Sequence, residues 1–529
     1  MRYYICLIIM LLVGYCGYSQ TIEHVYDFSR YHDSDIKTYV RGVERGYSVV
    51  DIEGCMQSAL AGEPSLPWQS VALLLPEATV AESIEVEMCD FKVIGDGYKL
   101  FPYQPCRRLS DTQHYDFLID EAAYSSNATY PAQNHGTLTT QHVNGFSIAL
   151  SSFSPVRYVP SEGRLMMAGK VVVRVKVHDN DDVALPVSAR QENINKVLSL
   201  VQNPEMLQSY NIKDKELVSR HLNGYELLVI TGDEYVEEFS DYKSFYSNRN
   251  LRTRVISLDS VYSTMQGADN QEKIRNFIIR EYSDNDIMMV LLGGDVGIVP
   301  YRGLYCDVLS GGSHVTSDNI PADLYYAALD GSWNDDGDEL WGEIGEDDLL
   351  PEIGVARMPF NNVTQLGHLI NKTMKYQLSP VEGEFRTVVL GGEKLHDNPY
   401  TLGSQYLELL VGTHSDNGYT TTGIDEDYNF VRLYHENGDW SGQNLRNAIN
   451  AGVGYVHHSG HANSDYVAGW YGGTMTASAF SGADGKGHNY TFFHTHGCDC
   501  GAFDSNSILE KMTTIENFAV CAIGNSRYG

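Results

Sequence analysis

From about Tyr225 onward the chain repeats one unit: a short, almost wholly apolar strand followed by a segment with helical periodicity. YELLVITG, RTRVISLD, IMMVLLGGD, EIGVARMP, RTVVLGGE, FVRLYHE, GVGYVHHSGH, YTFFHTHGC and FAVCAIG are the strands. Helices are predicted near QEKIRNFIIREY and over 364–376, 404–412, 443–451 and 505–513. Strands this apolar have to be covered on both faces, and helices between consecutive strands supply both covers. The pattern therefore predicts an α/β domain over 221–529, a parallel sheet flanked by helices. The similar strand ends VLLGGD and VVLGGE point to two related halves, 221–380 and 381–529.

The region before it has a different texture. QSVALLLPE, SIEVEMCDFKVI and KVVVRVKVH show period-two alternation or short runs of β-branched residues, separated by turn formers. Residues 20–220 are predicted to be a β-rich domain, closed by a polar helical stretch over 191–220. The segment 213–223, which carries Lys215 and Arg220, reads either as a linker or as a processing site. Ahead of it, Met1-Arg2, the run ICLIIMLLVGYC and the small residues Gly17 and Ser19 describe a signal peptide over 1–19. A lipid anchor at Cys16 is the rival, and the bulky Tyr15 before it argues against that. No later run is long and apolar enough to span a bilayer. The expectation is an exported protein, secreted or at the cell surface.

Lys and Arg total 37 against 69 Asp and Glu, a formal net charge of −32. Such a surface repels phosphate backbones and argues against nucleic-acid binding. Cys6 and Cys16 lie in the signal segment, which leaves seven cysteines. An odd number in an exported chain leaves at least one thiol unpaired. One disulfide among Cys55, Cys89 and Cys106 fits their location, and their spacing matches no metal motif.

Reactive side chains concentrate at the ends of two late strands. The first ends at His457, His458 and His461; the second ends at His494, His496, Cys498 and Cys500. Active sites of open α/β sheets sit at the carboxyl ends of strands. A cysteine nucleophile needs a thiolate, a nearby imidazole, and N–H groups for the developing oxyanion. His461 and Cys498, 37 positions apart on successive strand ends, satisfy that pattern. The histidines also admit a zinc reading, since His457 and His461 are four apart and His494 and His496 share one side of a strand. On an extended strand end the first pair would not converge as it would on a helix.

Gly460-His461-Ala462 and Cys498-Asp499-Cys500-Gly501-Ala502-Phe503 resemble the gingipain family of cysteine peptidases, related in fold to caspases and legumains. That family has Gly-His-Gly and a pattern like Cys-x-Asn-Gly-x-Phe. SDNIPADLYYAALDG, LPEIGVARMP and, in the N-terminal part, GEPSLPWQSVALLLPE resemble further family signatures. The resemblance implies a caspase-like catalytic domain over 221–529 and a propeptide domain over 20–220 that inhibits it. It makes Cys498 the nucleophile and His461 its proton carrier, with the backbone amides of Ala462 and Cys498 holding the oxyanion. It implies a secreted endopeptidase acting on proteins or peptides, with catalytic-domain structure continuing beyond Gly529. A sortase-like transpeptidase and an inactive surface or binding homologue are the alternatives. Ala462 departs from the family glycine, and Cys500 stands where the family often has Asn, a second candidate thiol. Asp465 is the carboxylate nearest His461 in sequence and reads as a solvent-facing loop residue.

Members that cut after Arg or Lys carry a pocket acid, and alignment with the family segment makes Asp323 the candidate, with a structural cap or turn residue as its other reading. A cut after basic residues is thus one implication of the resemblance. No cofactor is required for the chemistry. Ser332 to Glu343 follows a calcium-loop pattern with Ser in place of the first Asp, and reads either as a structural calcium site with Asn334, Asp336, Asp338 and Glu343 as ligands or as a plain acidic loop.

Overall fold

The structure, a computed structural model, describes residues 20–30, 37–38, 46–105, 116–180, 185–212, 224–310, 313–416 and 419–529. The signal segment, Cys106, Lys215 and Arg220 lie outside the described residues.

The N-terminal domain is built from antiparallel sheets. One orders Gln20–Asp27, Lys170–Asp179 and Thr79–Cys89; another centres on Leu66–Leu74 paired with Phe146–Phe153. Lys170–Asp179 alternates along most of its length, with Val172 buried as well. Val171, Val173, Val175 and Val177 enter the core with Val71, Leu73 and Phe153. Arg174 points outward and donates to Glu23 (2.8 Å) and Glu87 (2.7 Å). Within the described residues the expected helical stretch forms as Gln191–Leu200, whose Ile194 and Val197 pack on Phe146 and Ile148, and a 3-10 turn, Pro204–Ser209, follows it. Among the described residues no disulfide forms, and Cys55 and Cys89 are free.

The C-terminal domain contains two separate parallel sheets, one in each expected half. The first orders Thr253–Ser257, Leu227–Thr231, Met289–Gly293 and Gly354–Met358. All five residues of Leu227–Thr231 are buried, because helices cover both faces. Asn270–Asn285 inserts Ile274, Phe277 and Ile278 on one side, and Val363–Leu378 inserts Leu366, Leu369 and Ile370 on the other. The second sheet orders Asn429–Tyr434, Thr387–Gly392, Tyr455–Ser459, Thr491–Thr495 and Ala519–Ile523. Gly442–Asn450 and Ile508–Thr514 cover one face through Leu445, Ile449, Leu509 and Met512. The short helix Gly403–Leu407 covers part of the other through Leu407.

Helix Val363–Leu378 ties the halves together. Lys372, fully buried, donates to the carbonyls of Thr513 (2.5 Å), Ile515 (2.8 Å) and Ala519 (2.8 Å). A cavity of about 570 Å³ lies between the halves, lined by Asp323 and Arg357 from the first and Phe503, Glu510 and Cys521 from the second.

Candidate functional site

Parallel register sets the site. In the second sheet Gly391 pairs with His458 and Gly392 with Ser459, while His457 pairs with His494 and His458 with Thr495. The carboxyl ends of three adjacent strands therefore deliver Glu393, His461 and Cys498 to one edge, the position that open α/β sheets use for chemistry.

Three glycines make the approach of these loops possible. A Cβ at Gly460 would fall 2.4 Å from both the Glu393 carboxyl carbon and His458 Nε2. Without it, the carboxylate passes under the loop and accepts from the His461 N–H (3.1 Å) and from His458 Nε2 (3.2 Å). A Cβ at Gly497 would fall 2.3 Å from the Ala462 Cβ. The methyl group that departs from the family glycine thus occupies the space left open beside Cys498. A Cβ at Gly391 would strike Trp440 at 2.7 Å, and that indole stacks on His458 with centroids 5.3 Å apart.

The hydrogen bonds form one chain with a consistent polarity. The Gly497 N–H donates to Thr495 Oγ1 (3.0 Å), whose hydroxyl donates to His458 Nδ1 (2.8 Å). His458 Nε2–H then donates to Glu393, the tautomer that this network requires. Burial pushes the Glu393 carboxyl up, but the bonds from His458 and the His461 amide outweigh it and leave it below its ordinary value. His461 Nε2 lies 2.8 Å from the Leu395 carbonyl, which can only accept, so Nε2 carries the proton and Nδ1 is the basic nitrogen. Among the described residues no hydrogen bond joins His461 directly to Cys498. Cys498 is buried beneath the last residues of the chain, with the Gly529 N–H 3.3 Å from its sulfur. Its own N–H has no acceptor among the described residues, as an oxyanion donor requires.

The second thiol is different. Cys500 is fully buried in the apolar cluster with Leu509 and Ile508, its sulfur 3.3 Å from the Gly497 carbonyl, and burial pushes its thiol up to about 12. A thiol so placed does not supply a thiolate at neutral pH. Asp465 is exposed and paired with Lys511 (2.7 Å), as a loop residue should be. Glu393, rather than any residue after His461, is the carboxylate of the site. Its only sequence signal was the strand end VVLGGE, where the register brings it beside His461.

Asp323, the candidate pocket acid, has a partner within the chain. Its carboxylate is gripped on both oxygens by Arg357, Nε at 2.8 Å and Nη2 at 2.7 Å. Arg357 is buried, and it also donates to the carbonyls of Gly294 and Val299. The acid is neutralised from within the chain, so a cationic substrate side chain finds no free charge there.

The four expected calcium ligands do not converge as a set. Asp336 and Glu343 come together with Glu346, at the surface. Asn334 instead donates to the Asp338 carbonyl (2.7 Å), and the Asp338 carboxylate accepts from the Leu340 N–H (2.6 Å). A buried set lies nearby in sequence: carboxylate oxygens of Asp330, Asp348 and Glu352 fall within 4.8 Å of one another. Asp330 Oδ2 and Asp348 Oδ2 are buried without a partner. Burial and mutual repulsion raise the three carboxyls to about 6, 7 and 8. Orphaned, converging carboxylate oxygens fit a hard divalent cation such as Ca²⁺. The spacing of a loop motif could not reveal this set, because its members are spread over 330–352.

His457, His494 and His496 form a further group on the opposite side of the Tyr455–Ser459 strand from His458. Burial first, then the neighbouring imidazoles, pull His457 down to about 3. His461 is not part of this group.

The model of peptidase family C25 matches residues 220–529, more than half of the chain, and the propeptide model of the same family matches 33–207. The chain belongs to peptidase family C25. Among solved structures, the complex of the Porphyromonas gingivalis RgpB pro- and mature domains is similar at 18% identity and a TM-score of 0.40, covering 57% of this chain and 64% of that one. The Arg-specific cysteine proteinase gingipain R (RGPB) is similar at 16% and 0.41, covering 58% and 63%. A zymogenic gingipain K from Porphyromonas gingivalis matches at 19% and 0.21, over 25% and 75%. The chain thus spans less than two thirds of the length of the first two. A search of the curated proteins found no match. This C25 chain thus matches the family model and the family's propeptide model over separate spans.

Proposed function

We propose that this chain is the precursor of a cysteine endopeptidase in which Cys498 and His461 carry out the chemistry. The observation that carries the reading is the hydrogen-bonded chain from Gly497 through Thr495, His458 and Glu393 to the His461 amide. It ties the cysteine loop to the histidine loop, and its only charged member is a carboxylate held ionised beneath them.

In this mechanism the Cys498 thiol proton passes to His461 Nδ1, and the thiolate attacks the scissile carbonyl. The Cys498 and Ala462 amides take the oxyanion. The imidazolium returns the proton to the departing amine, leaving a thioester. Water, deprotonated by His461, then releases the acid. Leu395 fixes the imidazole through Nε2, and Glu393 fixes its backbone and stabilises positive charge nearby. With Asp323 neutralised, a preference for Arg before the cut, the specificity named for gingipain R, requires a different pocket acid.

The N-terminal domain is read as the inhibitor. Its Asn144 donates to Glu352 through its amide N–H (3.1 Å) and its side chain (3.2 Å), and Gln141 donates to the Asp347 carbonyl. It thereby grips the loop bearing the buried acids, where Asp330, Asp348 and Glu352 would hold a structural Ca²⁺. Export rests on the signal-peptide reading of residues 1–19. No described helix is long and apolar enough to cross a membrane.

Removal of the N-terminal domain, followed by incubation with unrelated protein substrates, tests the reading. Cleavage that is lost in both Cys498→Ala and His461→Ala supports it. Cleavage that persists in Cys498→Ala rules out this nucleophile.

A further inference from the structure

His457, His494 and His496 lie together on the face of the second sheet opposite His458, and the peptidase chemistry uses none of them. His457 and His494 face each other across adjacent parallel strands, ring centroids 4.3 Å apart. His496, two residues on and therefore on the same side, brings its ring to 4.9 Å from His457 and 5.4 Å from His494. One ring nitrogen of each lies within 4.8 Å of the other two, and His457 Nε2 faces His496 Nε2 at 2.8 Å.

Tyr455, two residues before His457 on the same face, organises the group. Its hydroxyl lies 2.9 Å from His457 Nδ1 and 3.1 Å from His494 Nδ1. With an ion bound at Nε2, each ring would carry its proton on Nδ1 and donate it to the phenol oxygen, so Tyr455 would fix both rings as ligands. This is the role that partners behind metal-bound histidines play. Among the described residues no carboxylate hydrogen-bonds to any of the three rings, and His457 Nε2 is engaged only by His496 Nε2, itself one of the three ligands. The cluster is graded from buried His457 to exposed His496, which gives an ion a path in from solvent.

We propose that these three histidines bind one borderline divalent metal ion of the Zn²⁺ type, with a fourth position open to water. Three imidazoles suit zinc and its neighbours and not calcium or magnesium, which take oxygen ligands. Zinc–nitrogen bonds of 2.0–2.1 Å place tetrahedral ligand atoms about 3.4 Å apart, within the spread that the three rings already show. The ion would join the Tyr455–Ser459 and Thr491–Thr495 strands at their carboxyl ends, two residues from Cys498. The site is independent of the peptidase reading, since it uses neither Cys498 nor His461.

The test uses the full chain carrying Cys498→Ala, stripped with a chelator and then titrated with Zn²⁺ by calorimetry and with Co²⁺ by visible absorption. The expected result is one ion per chain, a Co²⁺ band of four-coordinate intensity, and a rise in melting temperature with Zn²⁺. His496→Ala, at the exposed ligand, should weaken binding at least tenfold while leaving the metal-free melting temperature unchanged, and His496→Asn checks the same position with a polar side chain. Binding by calorimetry that is unchanged in both variants overturns the proposal. So does a Co²⁺ signal that vanishes in His461→Ala with the three histidines intact.

Discussion

Glu393 is only 9% exposed, yet its carboxyl is held below its ordinary value, because two donors from the histidine loop and strand meet it. Replacing it with Gln keeps the size but turns an NH₂ group toward one of those donors. Glu393→Gln is expected to lower kcat/KM by a factor on the order of 10² and to slow alkylation of Cys498, with a smaller loss of stability. Unchanged kinetics would remove Glu393 from the site. A second residue-scale test concerns Ala462 and Gly497. Gly497→Ala should cost about 1–3 kcal/mol by overpacking. Ala462→Gly should relieve much of that in the double variant, giving a coupling of about 1–2 kcal/mol by denaturant unfolding. Simple additivity would mean that the two loops do not touch in solution.

At the scale of elements, helix Ile508–Thr514 and helix Val363–Leu378 form the joint between the two sheets, and both carry a buried ionisable group there. Glu510 caps its own helix through Ser507, while burial and then Asp295 push its carboxyl up to about 8. A folded-state value above the unfolded one means that the folded chain keeps a proton that the unfolded chain has released. Stability from this group is present below about pH 4.5 and is lost as pH rises toward 8. Glu510→Gln, which can still cap the helix, should flatten that decline and raise stability at pH 8 by about 1–3 kcal/mol. A melting-temperature profile identical to that of the parent would count against it. The central strands of both sheets were the most legible, because complete burial demands continuous apolar runs such as LLVIT. Helix 404–412 was legible only in part, forming as Gly403–Leu407 and a following 3-10 turn. Local periodicity does not record where a helix loses its covering partner. His461 and Cys498 were legible as strand-end motifs. Glu393, Leu395 and Trp440 were not, since only strand order places them beside His461. Nor did a single-residue alignment show that Arg357 already neutralises Asp323.

For the whole molecule, the N-terminal domain, the buried acids and the catalytic edge make one system under the proposed reading. The domain grips the loop that ends at Glu352, on the first half, while the nucleophile sits on the second. Calcium bound by Asp330, Asp348 and Glu352 should stabilise the chain by about 2.7 kcal/mol at a hundredfold excess over Kd. Asp348→Asn should abolish that increment in a thermal melt, whereas Asp336→Asn at the surface set should leave it. Equal loss in both variants would return the site to the exposed loop.

The central claim, that Cys498 is the nucleophile and His461 its proton carrier, is tested most directly by mapping covalent labels. The chain freed of its N-terminal domain would be treated with acyloxymethyl ketone probes bearing Arg, Lys or an uncharged residue, and the adduct located by mass spectrometry. The account predicts a single adduct on Cys498 Sγ that disappears in His461→Ala, with the preferred probe defining the pocket. An adduct on Cys500, or labelling of Cys498 that is unaffected by His461→Ala, would contradict it.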